Sequence, residues 1–554
     1  MTLLYYLACE RQARSVLKRT HIEEKGLMKA SVWSDRCAVL FAAATVLILV
    51  LAYIPLLRAR QGWEDEVYWA STCLSMLRHK GAVPSVLADY PRPFSPPLLY
   101  GPVSFWLASV FLKTFGFSMR TWRSFTFAGD VAYLVSVGVL FYRLRRSWAV
   151  VMGAVLFCSL SLGLTLGLTL PGRPDSWTLA IVVCAFALAA GENLPGRAFA
   201  LQWIMFGVLL ALAASATPRI WPLLGLMTLL LPLRLEREWL RAAVLVGVSW
   251  FVAWSLLLMP LHMTIWRFIV SVHGAGAGDA ADVSPIMGGR WSFNHAHTQA
   301  AYFAALLLVV CVVDVSRWGR VTNYRRWLIV VAVLNLASAL LLTARSLNMI
   351  EMLYWGFVIE IAALCAWTEP ASKQRLRIVR AIGVFVVVFL VILRASQELL
   401  IFRQWSRRDP RLAVRELRAF IPSGSIVYGP SGTYFYPALT IGAEYRNPVD
   451  WASKGRASTP GQPNLPTPMR DACHTPAFLV WPTDDASAPF PPMPHATRQL
   501  VARYEPPPAN PTTAERWLMH LPGVPANNDV EPIAIYRLVL HPGYCQSLLM
   551  PSPR

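Results

Sequence analysis

The chain has 554 residues, of which 55% are hydrophobic and 15% are charged. Soluble domains carry closer to a quarter of charged residues, so this composition excludes an ordinary soluble protein. Apolar runs of about 17 to 22 residues recur along the chain and indicate a polytopic α-helical membrane protein. The net charge of +20 is spread over many loops, which favours topology signals and contacts with membrane lipids and argues against nucleic-acid binding.

The apolar runs predict about eleven membrane spans, with a twelfth run, 97–117, that is less continuous. We interpret residues 97–117 as a helix at the membrane interface, and a further span is the alternative. The expected organisation is a cytoplasmic N-terminal segment 1–36, a transmembrane domain 37–394 with a first outer loop 58–120, and a C-terminal region 395–554. The predicted spans are 37–57, 121–142, 148–170, 175–190, 199–216, 219–233, 240–260, 298–315, 327–344, 349–367 and 378–394.

Basic residues cluster in alternate loops, which predicts the orientation. The positive-inside rule places the N-terminus and these loops in the cytoplasm, provided that residues 97–117 do not cross. The opposite loops, including 58–120, and the C-terminal region then lie outside. The basic loops are 143–146, 234–241, 316–326 and 372–380.

The region from residue 395 onward has the pattern of a small α/β domain. One amphipathic helix is predicted at 412–421, and short strands are predicted from β-branched and aromatic runs between Pro-rich linkers. Cys473 and Cys545 are the only two cysteines in this region. They can pair if it faces an oxidising compartment, and the sequence leaves that open. The predicted strands are 425–430, 477–482, 498–504 and 531–538.

Three consecutive carboxylates, Glu64, Asp65 and Glu66, follow the first predicted span. Carboxylates at the edge of a membrane are costly unless they are solvated or functional. One interpretation is a solvated, helix-capping loop. The other is a general base or a metal ligand above the bilayer, because adjacent carboxylates raise each other's pKa toward that of a useful proton acceptor.

Two further polar positions have alternative interpretations. Arg173-Pro-Asp175 lies between two spans, either as a turn with an Arg–Asp pair or as a substrate contact in which the arginine holds a phosphate. Arg123, near the start of a span, either snorkels to the membrane surface or contacts a phosphate.

The order of these elements resembles the GT-C superfamily of membrane glycosyltransferases, in the bacterial branch related to protein O-mannosyltransferases and the lipid A aminoarabinose transferase. The resemblance lies in an acidic motif after the first span, SPPLLYGPVSFWLASVFLKTFGFSMRTWRSF at 95–125 and RPDSW after the third span, and covers roughly residues 37–370. It implies a catalytic role for Asp65 with Glu66. The substrate-binding positions that it implies, with arginines as candidates for the donor phosphate, are Arg92 (because Ser95 replaces the usual lysine), Arg123, Arg173, Asp175, Asn348 and Glu351.

The resemblance further implies a polyprenyl-phosphate sugar donor and a glycan, lipid or protein acceptor at the outer face of a bacterial inner membrane. Asp65 is expected to be the general base of an inverting transfer. No cofactor is expected, and a divalent cation near the carboxylates is left open. A transporter or flippase for a lipid-linked glycan and a catalytically inactive scaffold are the alternatives.

Overall fold

The computed structural model describes most of the helical region and the sheet near the C-terminus. The described residues are 39–40, 42–51, 53–54, 64–78, 101–162, 174–191, 194–270, 296–342, 349–367, 373–404, 409–429, 434–446, 471–482, 495–505, 512–519 and 532–549.

Fourteen of the described helices, all of them before residue 404, pack into a bundle. Helix α4 packs against α5 and α6, and α7 packs against α10. The helices are α1 (Ala42–Leu51), α2 (Glu64–Leu77), α3 (Pro102–Phe115), α4 (Met119–Arg145), α5 (Trp148–Leu162), α6 (Asp175–Ala190), α7 (Gly196–Ala214), α8 (Trp221–Leu229), α9 (Leu231–Leu235), α10 (Trp239–Leu258), α11 (Ala296–Val313), α12 (Asn323–Leu342), α13 (Met349–Trp367) and α14 (Lys373–Arg403).

The described helices include membrane-spanning candidates. Among the described residues, four segments are long and apolar enough to cross a membrane: α4, α7, Trp239–Leu261, and Ala381–Arg403 within α14. Six further apolar helices in the described residues are shorter. Large apolar side chains on α10 and α14, such as Phe251 and Phe385, are exposed, as expected where a helix faces lipid. The chain is therefore a membrane protein, and the number of about eleven spans stays a prediction.

Helix α3 occupies the less continuous run 97–117. Its 14 residues extend about 21 Å, less than the ~30 Å hydrocarbon core of a bilayer. This length agrees with the interfacial interpretation, which stays a prediction.

The beginning of α3 is joined to the end of α7. Gly101 N donates to Ala216 O at 3.0 Å, and Val103 N donates to Ser215 O at 3.2 Å. A Cβ atom at Gly101 would overlap the Ser215 carbonyl oxygen. Glycine is therefore required for this approach of two backbones.

Two helical boundaries differ from the predicted runs. The run 219–233 is divided at Leu230 into α8 and α9, and Pro232 in the first turn of α9 cannot donate the hydrogen bond that a continuous helix needs. Helix α14 continues past residue 394 to Arg403, so the boundary predicted at residue 395 lies inside this helix.

The C-terminal region contains a five-stranded mixed sheet and four helices in the described residues. Strands form at all four predicted positions, and a fifth, β2, adds to the edge. The strand order is β2-β1-β3-β5-β4, with β1 parallel to β2 and β3, and β5 antiparallel to β3 and β4. The elements are α15 (Pro410–Phe420), β1 (Ile426–Tyr428), α16 (Phe435–Thr440), β2 (Glu444–Arg446), β3 (Ala477–Pro482), β4 (Ala496–Tyr504), α17 (Thr513–Met519), β5 (Ile533–Leu540) and α18 (Pro542–Leu549).

A disulfide and a shared core hold the C-terminal region together. Cys473 and Cys545 form a disulfide with a Cα–Cα distance of 5.6 Å, which joins the segment before β3 to α18. One apolar core continues from the bundle, where it includes Trp69, into this region, where it includes Phe435. The sheet region therefore packs on the end of the bundle that carries α2.

Candidate functional site

A buried ion pair joins α2 to α4. Arg123 donates from Nε to Glu66 Oε1 at 2.9 Å and from Nη2 to Glu66 Oε2 at 3.0 Å. Both side chains are 0% exposed. This two-bond geometry is the strong, directional form of an arginine–carboxylate contact. Arg123 therefore does not snorkel to the surface, and Glu66 is held from the bundle side.

The C-terminal region contributes a third group to the same carboxylate. Tyr436, in α16, donates its hydroxyl to Glu66 Oε1 at 3.4 Å. Its ring stacks on Phe117, with centroids 6.3 Å apart. Burial, followed by the nearby Glu66 charge, raises the pKa of Tyr436 well above its ordinary value. The phenol therefore stays protonated and acts as a donor.

Helix α2 is buried along most of its length. Ala70 and Cys73 are fully buried, and the Cys73 thiol points to the Phe105 carbonyl of α3 at 3.8 Å. Burial raises the pKa of Cys73 to about 12. This thiol is therefore a protonated packing group and has no thiolate character at neutral pH.

The second acidic position lies at the start of another helix packed on α4. Asp175 is the first residue of α6 and is buried. Next to it, the Ser176 hydroxyl donates to Asp130 of α4, and Trp177 Nε1 donates to the Phe125 carbonyl at 3.1 Å. The start of α6 is thus attached to α4 through a side chain and a backbone carbonyl.

A charged pair lies within α14. Arg394 Nη2 is 2.8 Å from Glu398 Oε1, and the Arg394 side chain is 10% exposed. A charged group in a bundle is tolerated when a group of opposite charge lies beside it.

The predicted site residues fall into three groups. Glu66, Arg123 and Asp175 are described with their side chains and lie at the two contacts with α4. Asp65 is placed in the first turn of α2, and Glu351 in the first turn of α13, by their backbones. The predicted roles of all these residues stay predictions. The positions that lie outside the described residues are Arg92, Arg173 and Asn348.

Metal ligands were a further open question near the carboxylates. Among the described residues, the structure contains no group of three or more His, Cys, Asp or Glu side chains placed to hold a metal ion. The Asp65 and Glu64 side chains lie outside those described, and a divalent cation beside them stays a prediction.

The fold was compared with known proteins. No protein-family model matches the chain, and no curated protein matches it in sequence. ArnT from Cupriavidus metallidurans, solved with bound undecaprenyl phosphate, is similar in structure, with a TM-score of 0.52 at 15% identity over 93% of this chain and 99% of ArnT. The oligosaccharyltransferase of Archaeoglobus fulgidus, solved with Zn and sulfate, has a TM-score of 0.50 at 13% identity over 79% of this chain and 68% of its own. Both are GT-C glycosyltransferases.

The chain has the GT-C fold. The resemblance predicted from the sequence is therefore confirmed at the level of the fold. At 13% and 15% identity, the likeness concerns architecture, and roles of individual residues depend on the geometry of this chain.

Sequence reasoning missed the contacts of three polar residues. Tyr436 stands in an aromatic run between predicted strands, Asp130 lies within the apolar run 121–142, and Arg394 is the last residue of the apolar run 378–394. The signal available for Asp130 and Arg394 was their charge inside otherwise apolar segments. For Tyr436, the aromatic run alone did not distinguish a packing residue from a donor to a carboxylate.

Proposed function

We propose that this GT-C protein is a membrane glycosyltransferase that moves a sugar from a polyprenyl-phosphate or -diphosphate donor to a glycan, lipid or protein acceptor. The observation that carries the proposal is the acidic first turn of α2, held at one end of a GT-C bundle by the Glu66–Arg123 pair. The bound undecaprenyl phosphate of ArnT supports a lipid-phosphate donor.

In the proposed reaction, Asp65 is the general base. Its carboxylate takes the proton of the acceptor hydroxyl while the acceptor oxygen forms a bond to the anomeric carbon. The bond from that carbon to the phosphate oxygen breaks, and the lipid phosphate leaves with the electron pair. Attack opposite the phosphate inverts the anomeric centre through an oxocarbenium-like state.

Glu66 has a different proposed role from Asp65. Both of its carboxylate oxygens accept hydrogen bonds from Arg123, which fixes the position of the carboxylate. A base must instead present an oxygen to its substrate. We therefore assign Glu66, which the sequence grouped with Asp65 as catalytic, to holding the first turn of α2.

The leaving phosphate requires positive charge that strengthens as the bond breaks. Arg123 already pairs with Glu66, which makes Arg92 and Arg173 the stronger candidates for this contact. Three further substrate contacts are proposed from the family resemblance: Asp175, Asn348 and Glu351.

We place the site at the outer face of a bacterial inner membrane, with the N-terminus in the cytoplasm. The disulfide between Cys473 and Cys545 supports an oxidising compartment for the C-terminal region. The distribution of basic loops supports the same orientation. The C-terminal sheet region packs beside α2, so the acidic turn lies on the same side.

The test is sugar transfer by the purified full-length protein in lipid nanodiscs, with a panel of polyprenyl-phosphate sugars. For a donor that turns over, Asp65→Asn should lower kcat by about 100- to 10,000-fold, the range for losing a general base. Glu64→Gln, which neutralises the neighbouring carboxylate, is the matched control and should retain most activity. Full activity of Asp65→Asn would remove Asp65 from the mechanism, and no turnover of any donor would contradict the transferase.

Translocation of a lipid-linked glycan is a second candidate function, favoured by carboxyl groups deep in the bundle. Glu360 lies within α13 and accepts a hydrogen bond from Ser161 of α5, and Asp130 lies within α4. Intramembrane carboxyl groups often mark a transport path. Transbilayer movement of a fluorescent polyprenyl-phosphate sugar in proteoliposomes, without transfer, would support this function over the first.

A further inference from the structure

Residues from three distant parts of the sequence meet at the Glu66 carboxylate. Glu66 belongs to α2, Arg123 to α4, and Tyr436 to α16 of the C-terminal region, 370 residues away in the chain from Glu66. All three side chains are buried. The C-terminal region therefore reaches the helix that carries the proposed base.

Two aromatic contacts fix the position of the Tyr436 ring. Phe117, between α3 and α4, stacks on it with centroids 6.3 Å apart, and Phe435 contacts it edge-on at 5.1 Å. Helix α16 packs against α15 and β2. The contacts that place the phenol against Glu66 therefore come from both the C-terminal region and the bundle.

We infer that Tyr436 is a positioning residue of the proposed transferase, which holds the first turn of α2, and with it Asp65, through its hydrogen bond to Glu66. This inference rests on the proposed function. It gives the C-terminal region a direct part in turnover, beyond covering the end of the bundle. Glu66 is thus bonded to Arg123 of the bundle and to Tyr436 of the C-terminal region.

The geometry predicts an effect on rate more than on folding. The Tyr436–Glu66 distance of 3.4 Å is long for an O–H···O bond, whose usual length is about 2.7–2.8 Å, so its loss should change overall stability little. Turnover is more sensitive, because a misplacement of about 1 Å at a reacting group lowers a rate by about 100-fold. A shift of a fraction of that distance corresponds to about a tenfold loss.

Steady-state kinetics of Tyr436→Phe test the inference. We expect kcat to fall about tenfold, with the KM for the lipid donor within about twofold of wild type, as for an interaction that matters only in the transition state. Tyr504→Phe, which removes a half-buried hydroxyl from β4 of the same region, is the matched control and should behave as wild type. A kcat of Tyr436→Phe within twofold of wild type, or a loss carried entirely by KM, would overturn the inference.

A second readout separates a positioning role from a merely structural one. If Tyr436 acts through Glu66, combining Tyr436→Phe with Glu66→Ala, which removes the acceptor oxygens, should lower kcat no further than Glu66→Ala alone, because coupled residues are non-additive. Multiplied losses would mean that Tyr436 acts elsewhere. Where Glu66→Ala has no measurable turnover, the division of the effect between kcat and KM in Tyr436→Phe decides.

Hydrogen–deuterium exchange distinguishes failure of this inference from failure of the proposed function. Peptides that cover α2 should exchange several-fold faster in Tyr436→Phe than in wild type and in Tyr504→Phe, whether or not a donor has been found. Unchanged exchange of α2 would overturn the inference even in an active enzyme. Faster exchange in a protein that transfers no sugar would retain the contact between Tyr436 and α2 and reject the transferase.

Discussion

The ion pair between Glu66 and Arg123 permits a quantitative prediction. Arg123→Met keeps a long side chain in the core but removes two charge-assisted hydrogen bonds from a carboxylate that is 0% exposed. Removing one partner of a buried pair costs about 3–5 kcal/mol, mainly because the other charge is left buried. The hydroxyl of Tyr436, at 3.4 Å, offsets little of this cost. The free energy of unfolding should therefore fall by about 3–5 kcal/mol.

Neutralising the carboxylate should recover much of that loss. In the double variant Glu66→Gln with Arg123→Met, the amide carries no charge, and its oxygen still accepts the hydrogen bond of Tyr436. Leaving a neutral polar group incompletely paired costs about 1–3 kcal/mol, less than leaving a charge. The double variant should therefore be more stable than Arg123→Met alone by about 2 kcal/mol.

Equilibrium unfolding by SDS titration in mixed micelles measures these differences. The matched control is Arg241→Met, because Arg241 forms a pair with Glu238 at 3.9 Å in which both side chains are more than half exposed. Such pairs are worth about 0–1 kcal/mol. If Arg123→Met cost no more than Arg241→Met, or if the double variant showed the summed losses of its two single changes, the reasoning from a buried pair would be refuted.

Two other contacts give predictions of their own. Gly101→Ala should destabilise the protein by more than about 2 kcal/mol, because the added methyl group overlaps the Ser215 carbonyl oxygen. Gly153→Ala is the control and should not destabilise it, because no neighbouring atom lies within 4 Å of the added methyl group. Equal melting temperatures of the two variants would contradict the close approach of the two backbones. Reductant should lower the free energy of unfolding of the wild type by about 2–4 kcal/mol and leave the double variant Cys473→Ser with Cys545→Ser unaffected. A reductant effect on both proteins, or on neither, would contradict the disulfide.

Local patterns predicted most elements of this fold. Runs of β-branched and aromatic residues identified four strands, since their signal lies within each segment. Strand β2 was missed because Glu444–Arg446 contains two charged residues among three, and its pairing with Ile426–Tyr428 of β1 is decided by the fold. The end of α14 was missed because the apolar run stops at Arg394, whose charge is paired with Glu398 inside the helix.

The sequence predicted which residues belong to the candidate site, but it did not predict which of them contact each other. Glu66 and Arg123 were both recognised from the sequence, but Glu66 as a catalytic carboxylate beside Asp65, and Arg123 as a phosphate contact or a snorkelling residue. Their bond links positions 57 residues apart, and no spacing rule connects residues on two separate helices. Burial of both groups determines that they pair, since either charge alone would be costly in the core.

The distribution of polar groups on α4 explains how two distant acidic motifs come to one end of the bundle. Arg123 and Asp130 are seven residues apart, which places them on the same face of α4 and about 10 Å apart along its axis. Arg123 holds Glu66, next to Asp65, and Asp130 holds Ser176, next to Asp175. Both motifs are thereby attached to one rigid helix within two turns. A buried ion pair adds little net stability, so the placement of the Glu66–Arg123 pair beside Asp65 is better explained by positioning than by folding energy.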